Sequence, residues 1–156
     1  MKLAELKKHP VEKLVPHAKP MLLLDRVTDC SEESFEAEVT VREDSLFCEN
    51  GRVGAWVGIE YMAQTVAAFA GAEGLVAGEA IKVGFLLGTR HYESQVPDFK
   101  AGSVLRIRVK KVLVDPQGLS VVECLLSDLG GQVLAKANLT VFQVGDFASY
   151  LREHRK

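Results

Sequence analysis

The chain has 156 residues, of which 47% are apolar and 26% are charged, and its formal net charge at pH 7 is -2. This length and composition predict a single globular domain over residues 1–156, large enough to bury a continuous core. The balanced charge argues against a nucleic-acid-binding protein, which usually carries a basic surplus. No apolar run is long enough to span a membrane, and the opening "MKLAELKKHP" lacks the apolar core of a secretory signal, so we expect a cytoplasmic protein.

The first part of the chain predicts helical turns followed by two strands. Residues 1–18 carry spaced leucines and valines among lysines, which indicates short helical turns on either side of Pro10. "MLLLDRVTDC" at 21–30 has the composition of a strand, and "ESFEAEVTVRE" at 33–43 alternates strictly between apolar and polar residues. The polar stretch "CENGRVG" at 48–54 is expected to be a loop.

One long helix follows this loop. Residues 55–73, "AWVGIEYMAQTVAAFAGAE", are apolar or small on almost every side, and Gly71 and Gly74 are expected to close the helix. A helix without a wet face cannot lie on a surface, so it must be enclosed by other elements. Trp56 is expected to belong to the core.

The remainder of the chain predicts four long antiparallel strands. They occupy residues 81–93, 103–115, 119–128 and 132–144, and are separated by the turn sequences "PDFKAG", "DPQG" and "DLGG". Residues 146–156 are expected to form a short terminal helix with Asp146 as its N-cap. Six antiparallel strands around one buried helix make an α+β arrangement.

Two stretches together resemble a known family. "VPHAKPMLLLDRV" at 15–27 and "VGIEYMAQTVAAFAG" at 57–71 are similar to segments of the FabA/FabZ type of 3-hydroxyacyl-acyl-carrier-protein dehydratases. A weaker third similarity covers "VGFLLGTRHYESQVPDFKAGSVLRIRV" at 83–109. Within this broad family, "AWVGIEYMAQ" and "GFLLGTR" most resemble the ApeP-like branch, which is associated with aryl polyene synthesis.

The resemblance implies a hotdog fold, in which an antiparallel sheet of five or six strands wraps around one long buried helix. It also implies a side-by-side dimer with active sites at the dimer interface, either a homodimer or a heterodimer with another hotdog protein. The implied substrate is a 3-hydroxyacyl chain, bound as a thioester to the phosphopantetheine of an acyl carrier protein and dehydrated to a trans-2-enoyl product. The implied reaction uses no metal and no organic cofactor.

Such a dehydration needs a base over C2, an acid against the departing C3 oxygen, and donors aimed at the thioester oxygen. Free backbone N–H groups at the helix start, near Gly54, Ala55 and Trp56, are candidates for these donors. Glu60 stands where the resembling family has its helix acid. Gln64 lies one turn further on the same face, and in that family the matching glutamine orients the acid.

The sequence departs from the family at the catalytic base. The dehydratases carry a histidine in a GHFP-like motif about fourteen residues before the helix glutamate, and here that position is Leu46. His17, in "PHAKP", is the preferred replacement because an imidazole is a suitable base near neutral pH, and His91 is its rival. The missing motif leaves two alternatives open, namely a non-catalytic subunit that pairs with an active hotdog partner and an acyl thioesterase.

Charged residues outside the candidate site allow two further predictions. Arg106, Arg108, Lys110 and Lys111 are interpreted either as the wet face of a strand or as a docking patch for an acidic carrier protein. Asp25 and Arg26 are expected to form an ion pair or a turn contact at a strand end. The cysteines at positions 30, 48 and 124 are widely spaced and odd in number, so they are expected to be reduced thiols.

Overall fold

The fold is that of a computed structural model, which describes residues 3–15, 21–78 and 83–144. The strands and the helix are, in chain order, β1 (Arg26–Cys30), β2 (Ser34–Thr40), β3 (Cys48–Glu49), β4 (Arg52–Gly54), α1 (Gly58–Val76), β5 (Val83–Ser94), β6 (Asp98–Lys100), β7 (Val104–Val114), β8 (Leu119–Asp128) and β9 (Val133–Val144). Short 3₁₀ helices cover Leu3–Lys8, Val11–Lys13 and Ala55–Val57. The first two confirm the predicted helical turns on either side of Pro10.

Six long strands form one antiparallel sheet in the order β1-β2-β7-β8-β9-β5. The helix α1 packs across this sheet and contacts β2, β5, β7, β8 and β9. Strand β7 shows which face of the sheet packs against the helix, because Leu105, Ile107 and Val109 are buried whereas Arg108 and Lys110 are exposed. The predicted α+β class, a six-stranded antiparallel sheet around one long helix, is confirmed.

The helix begins and ends later than predicted. Residues 55–57 form a 3₁₀ turn, and α1 then runs through both expected stop glycines to Val76. Gly71 is needed for close packing, because a Cβ there would collide with the carbonyl group of Leu14. The actual stop is at Gly78, which has a φ of +73° and donates its N–H to the carbonyl of Leu75.

A small second sheet replaces the loop predicted at 48–54. Strands β3 and β4 form a hairpin, and β6 pairs with β4 to give a three-stranded sheet in the order β3-β4-β6. The hairpin turns at Asn50 and Gly51, which both have positive φ values, +54° and +73°. An Asn-Gly pair is a common sequence of such a turn, so this dipeptide indicates a hairpin. The polar composition of residues 48–54 pointed to a loop instead.

Two other predicted boundaries have different outcomes. The strand expected over 21–30 begins only at Arg26, although the N–H of Asp25 already donates to the carbonyl of Glu38 in β2 at 2.9 Å. The terminal helix predicted over 146–156, with Asp146 as its cap, lies outside the described residues. Within the described part of the chain, no helix is long and apolar enough to cross a membrane.

The outer face of β1, β2 and β7 carries paired charges. Arg26 donates to Glu38 with two nitrogens, at 3.2 and 3.1 Å, and Arg106 approaches the same carboxylate at 3.6 Å. Arg108 lies 3.6 Å from Glu36 and 3.5 Å from a second acid, Asp29. Acids therefore pair with these arginines, which fits an ordinary polar sheet face, and the docking of an acidic carrier protein on this strand stays a prediction.

Candidate active site

A buried glutamine connects the helix to the segment that precedes β1. The side chain of Gln64 is fully buried, and two of its hydrogen bonds reach the backbone of residues 21–23. Its Nε2 donates to the carbonyl of Met21 at 2.7 Å, and its Oε1 accepts from the N–H of Leu23 at 2.8 Å. A buried amide satisfied in this way resists displacement, because any shift would leave a buried polar group unpaired.

The same amide holds the helix acid. Gln64 Nε2 donates to Glu60 Oε1 at 3.0 Å, across one helical turn. Glu60 is partly exposed and lies in the first turn of α1. The predicted shared face of these two residues is therefore present, with an addition that the sequence did not indicate, since the backbone of residues 21–23 fixes the orienting glutamine.

The preferred base, His17, lies outside the described residues, so its pairing with Glu60 stays a prediction. The chain on each side of it is anchored to α1. Upstream, the carbonyl of Leu14 lies against Gly71, and downstream the carbonyl of Met21 accepts from Gln64. Three residues, 18–20, stand between His17 and Met21 in the sequence.

The rival base, His91, is exposed on β5 and has a φ of +56°. The hydroxyl of the next residue, Tyr92, donates to the carbonyl of Ala55 at the start of the helical segment. At this point of β5, Tyr92 is the side chain that reaches the helix of its own protomer, whereas His91 is exposed. Its role in a partner's site stays a prediction.

The three residues chosen as thioester-oxygen donors have different surroundings. The N–H of Ala55 donates to the carbonyl of Pro97 at 3.0 Å, so the expectation that it is a free donor is wrong. Gly54 is the last residue of β4, and a Cβ there would lie only 2.6 Å from Nε1 of Trp56. That indole is 65% exposed and packs edge-on against Phe47, with ring centroids 5.5 Å apart, so Trp56 is not a core residue.

Large apolar side chains are exposed on the segments around the site. Met21 is 46% exposed and Leu46, at the position where the resembling family has its histidine, is 51% exposed. Together with Trp56 they come from three separate stretches of the chain. A contiguous apolar patch on a protein surface marks a site that a partner or a ligand covers.

A cavity of about 460 Å³ lies between residues 22–25, residues 42–46 and Tyr61. Its volume is within the range of small-molecule sites. Burial raises the pKa of Tyr61 to about 12, and nearby Cys48 and Asp25 add to the effect. Asp25 accepts from the N–H of Thr40 at 2.5 Å and from Arg42 at 2.7 Å, so the expected pairing of Asp25 with Arg26 is wrong.

The sequence model of the ApeP-like dehydratase family matches residues 9–152 of this chain. The chain belongs to the ApeP-like dehydratase family. No sequence among the curated proteins matches it. In the solved dehydratase heterocomplex ApeI:P from Xenorhabdus doucetiae, one chain is 33% identical to this ApeP-like chain, with a TM-score of 0.85. The alignment covers 94% of this chain and 98% of that chain.

More distant structures share the architecture of this ApeP-like chain. A hypothetical thioesterase from Streptococcus pneumoniae TIGR4, solved with coenzyme A, is 16% identical, with a TM-score of 0.60 and coverage of 77% of this chain and 85% of that chain. The PaaI protein from the E. coli phenylacetic acid degradation operon is 12% identical, with a TM-score of 0.58 and coverage of 74% and 80%. At these identities the likeness shows the hotdog fold alone. The predicted family and fold are therefore confirmed.

Proposed function

We propose that this chain is a subunit of a dehydratase that acts on 3-hydroxyacyl chains carried as thioesters on acyl carrier protein. The product is the trans-2-enoyl thioester, in fatty-acid-like or aryl polyene synthesis in the cytoplasm. The observation that carries the proposal is the carboxyl of Glu60, held by the fully buried Gln64 at the start of the central helix. Membership of the ApeP-like dehydratase family supports the same reaction class.

In the proposed reaction, His17 removes a proton from C2 while Glu60 gives a proton to the departing C3 hydroxyl. The C3–O bond breaks, a C2–C3 double bond forms, and one water molecule leaves. The thioester remains intact and solvent returns the transferred protons to their starting groups. The hydrogen bond from Gln64 supports the acid role, because it holds one carboxyl oxygen of Glu60 in a fixed position at the start of the helix.

We also propose that the chain works in a heterodimer with another hotdog protein. The relative from Xenorhabdus doucetiae was solved as a heterocomplex. Exposed Met21, Leu46 and Trp56, next to the residues that hold Glu60, supply an apolar surface suited to a partner. Leu46 cannot act as a base, so a partner histidine is the natural complement to Glu60 if His17 does not serve.

The experiment compares Glu60→Gln with Glu73→Gln, two carboxyl-to-amide changes in one helix. The purified chain, alone and mixed with a candidate hotdog partner, is incubated with a 3-hydroxyacyl carrier protein, and enoyl absorbance is followed. We expect Glu60→Gln to lower turnover at least about a thousandfold, since the general acid is lost, whereas Glu73→Gln stays within about threefold of wild type.

Three outcomes would contradict parts of this proposal. Absence of enoyl product, with a conventional dehydratase as positive control, contradicts dehydration for that chain length. Unchanged turnover of the reconstituted complex carrying both Glu60→Gln and His17→Ala indicates a non-catalytic subunit. Release of a free thiol, measured in the same assay, indicates a thioesterase.

A further inference from the structure

Both backbone polar groups of Ala55 are bound by the segment around β5. The hydroxyl of Tyr92 donates to the Ala55 carbonyl, and the N–H of Ala55 donates to the carbonyl of Pro97 at 3.0 Å. Ala55 is the first residue of the 3₁₀ turn that leads directly into α1. The start of the helix is therefore tied by one hydrogen bond to the edge strand β5 and by a second to the loop that follows it.

Two backbone features make room for the tyrosine. A Cβ on Gly58 would collide with the hydroxyl of Tyr92, so glycine at this first residue of α1 permits the approach. On the strand side, the register of β5 shifts between Arg90 and Glu93, and His91 has a φ of +56°. Such a bulge re-aims the following side chain, and a left-handed backbone is uncommon in residues other than glycine.

The phenol is a stable donor in this position. Burial raises the pKa of Tyr92 above its ordinary value, so the hydroxyl keeps its proton at neutral pH. The adjoining helical turn contains Glu60, two residues after Gly58 and five after Ala55. A displacement of this turn would carry the carboxyl with it.

We propose that Tyr92 is a positioning residue for Glu60, acting through the hydrogen bond to Ala55 and the contact with Gly58. This inference rests on the proposed acid role of Glu60. Tyr92 does not touch the reacting atoms; it fixes the turn from which the carboxyl projects. A misplacement of about 1 Å can cost about a hundredfold in rate, so a loosened turn has a measurable effect.

The first arm of the test is kinetic and uses the active complex. Tyr92→Phe keeps the ring and removes only the hydroxyl, and we expect kcat to fall about tenfold or more while KM stays within about twofold. Gly58→Ala should give a similar loss, because the new methyl displaces the same hydroxyl. The two changes together should cost about as much as either alone, since both break one contact.

The second arm measures amide hydrogen exchange in peptides covering residues 54–60. Tyr92→Phe should exchange at least about fivefold faster there than wild type, because the Ala55 carbonyl loses its donor. Tyr61→Phe is the matched control, since it removes a tyrosine hydroxyl that does not bind Ala55, and it should leave exchange at 54–60 unchanged.

An unchanged kcat in Tyr92→Phe overturns the inference, and so does unchanged exchange at 54–60. A fall in kcat that is fully explained by a smaller folded fraction also overturns it, because the role is then structural. An inactive wild-type complex contradicts the proposed function itself, whereas an active wild type with unaltered Tyr92→Phe kinetics contradicts only the positioning role.

Discussion

The two ends of helix α1 each carry a glutamate, and the two glutamates have different partners. Near the C-terminal end, Glu73 forms an ion pair with Lys111, whose Nζ lies 4.8 Å from the ring centroid of Phe69. Near the N-terminal end, Glu60 accepts from the neutral amide of Gln64 at 3.0 Å. The donor to Glu73 is therefore a charged ammonium group, whereas the donor from Gln64 to Glu60 is a neutral amide.

The backbone surroundings differ in the same direction. At the C-terminal end, the carbonyl of Leu14 packs directly against Gly71, in space that any side chain would fill. At the N-terminal end, the helix is held by the polar side chains of Gln64 and Tyr92, beside the exposed Trp56. Close packing therefore stabilises the C-terminal end of the helix. At the N-terminal end, hydrogen bonds hold the helix and the carboxyl of Glu60 stays partly exposed.

The largest expected effect on stability comes from the packed end. Gly71→Ala should lower the free energy of unfolding by about 3 kcal/mol, because the new Cβ must push the Leu14 backbone away. Gly88→Ala is the matched control, since a Cβ there meets nothing within 4 Å. Denaturant unfolding gives the free energy of unfolding of both variants. Equal values for the two would contradict the conclusion that close packing stabilises the C-terminal end of the helix.

The next effect comes from the hydrogen-bonded end. Gln64→Leu has a similar volume but leaves the carbonyl of Met21 and the N–H of Leu23 without their partner, which should cost about 2 kcal/mol of stability. Turnover should also fall about thirtyfold, because Glu60 loses its holding amide. A variant with lower stability and wild-type kcat would show that Gln64 supports the fold and not the acid.

The pH dependence of stability above pH 9 should differ between groups near the two ends of the helix. Burial raises the pKa of Cys30 from 9.0 to about 11, with Asp29 and Glu73 adding to it, and that of Tyr61 from 10.0 to about 12. A raised pKa means that the unfolded chain loses its proton at a lower pH than the folded chain does. The free energy of unfolding therefore declines as the pH rises from the pKa of the unfolded chain to that of the folded chain.

Cys30→Ala should therefore reduce the decline in the free energy of unfolding between pH 9 and 11, and Tyr61→Phe should reduce it between pH 10 and 12. The measurement is the denaturant midpoint of wild type and both variants at half-unit steps of pH. Slopes identical to wild type in both variants would contradict the assignment of these groups.

The smallest expected effect concerns the ion pair. Lys111→Met keeps a long side chain over Phe69 but removes the charge, and should cost about 1 kcal/mol or less, because the pair is partly exposed. Turnover should be unchanged. A double-mutant cycle with Glu73→Gln measures the coupling, and loss of activity in Lys111→Met would make the C-terminal end functional as well.

Local patterns were sufficient for much of the fold. Apolar and polar residues alternate in β7 and β8, and α1 is apolar along its length. These patterns indicate which faces are buried, so the long strands and the enclosed helix could be predicted. The small sheet could not be predicted from periodicity, since its strands have only two or three residues, although Asn50 and Gly51 signalled the hairpin. The end of α1 was predicted too early, at Gly71 and Gly74. The sequence does not distinguish a glycine that ends a helix from one that allows another segment to pack closely against it.

The sequence by itself determined the fold class, the family and the glutamate and glutamine spaced one turn apart on α1. Only the tertiary structure decided that Gln64 is held by Leu23 and Met21, which lie 41 and 43 positions before it in the chain. The same is true of the hydrogen bond from Tyr92 to Ala55 and of the pairing of Asp25 with Arg42 and not with Arg26. The physical reason is that burial follows a local period, whereas each of these polar contacts depends on how distant segments are aligned across the folded chain.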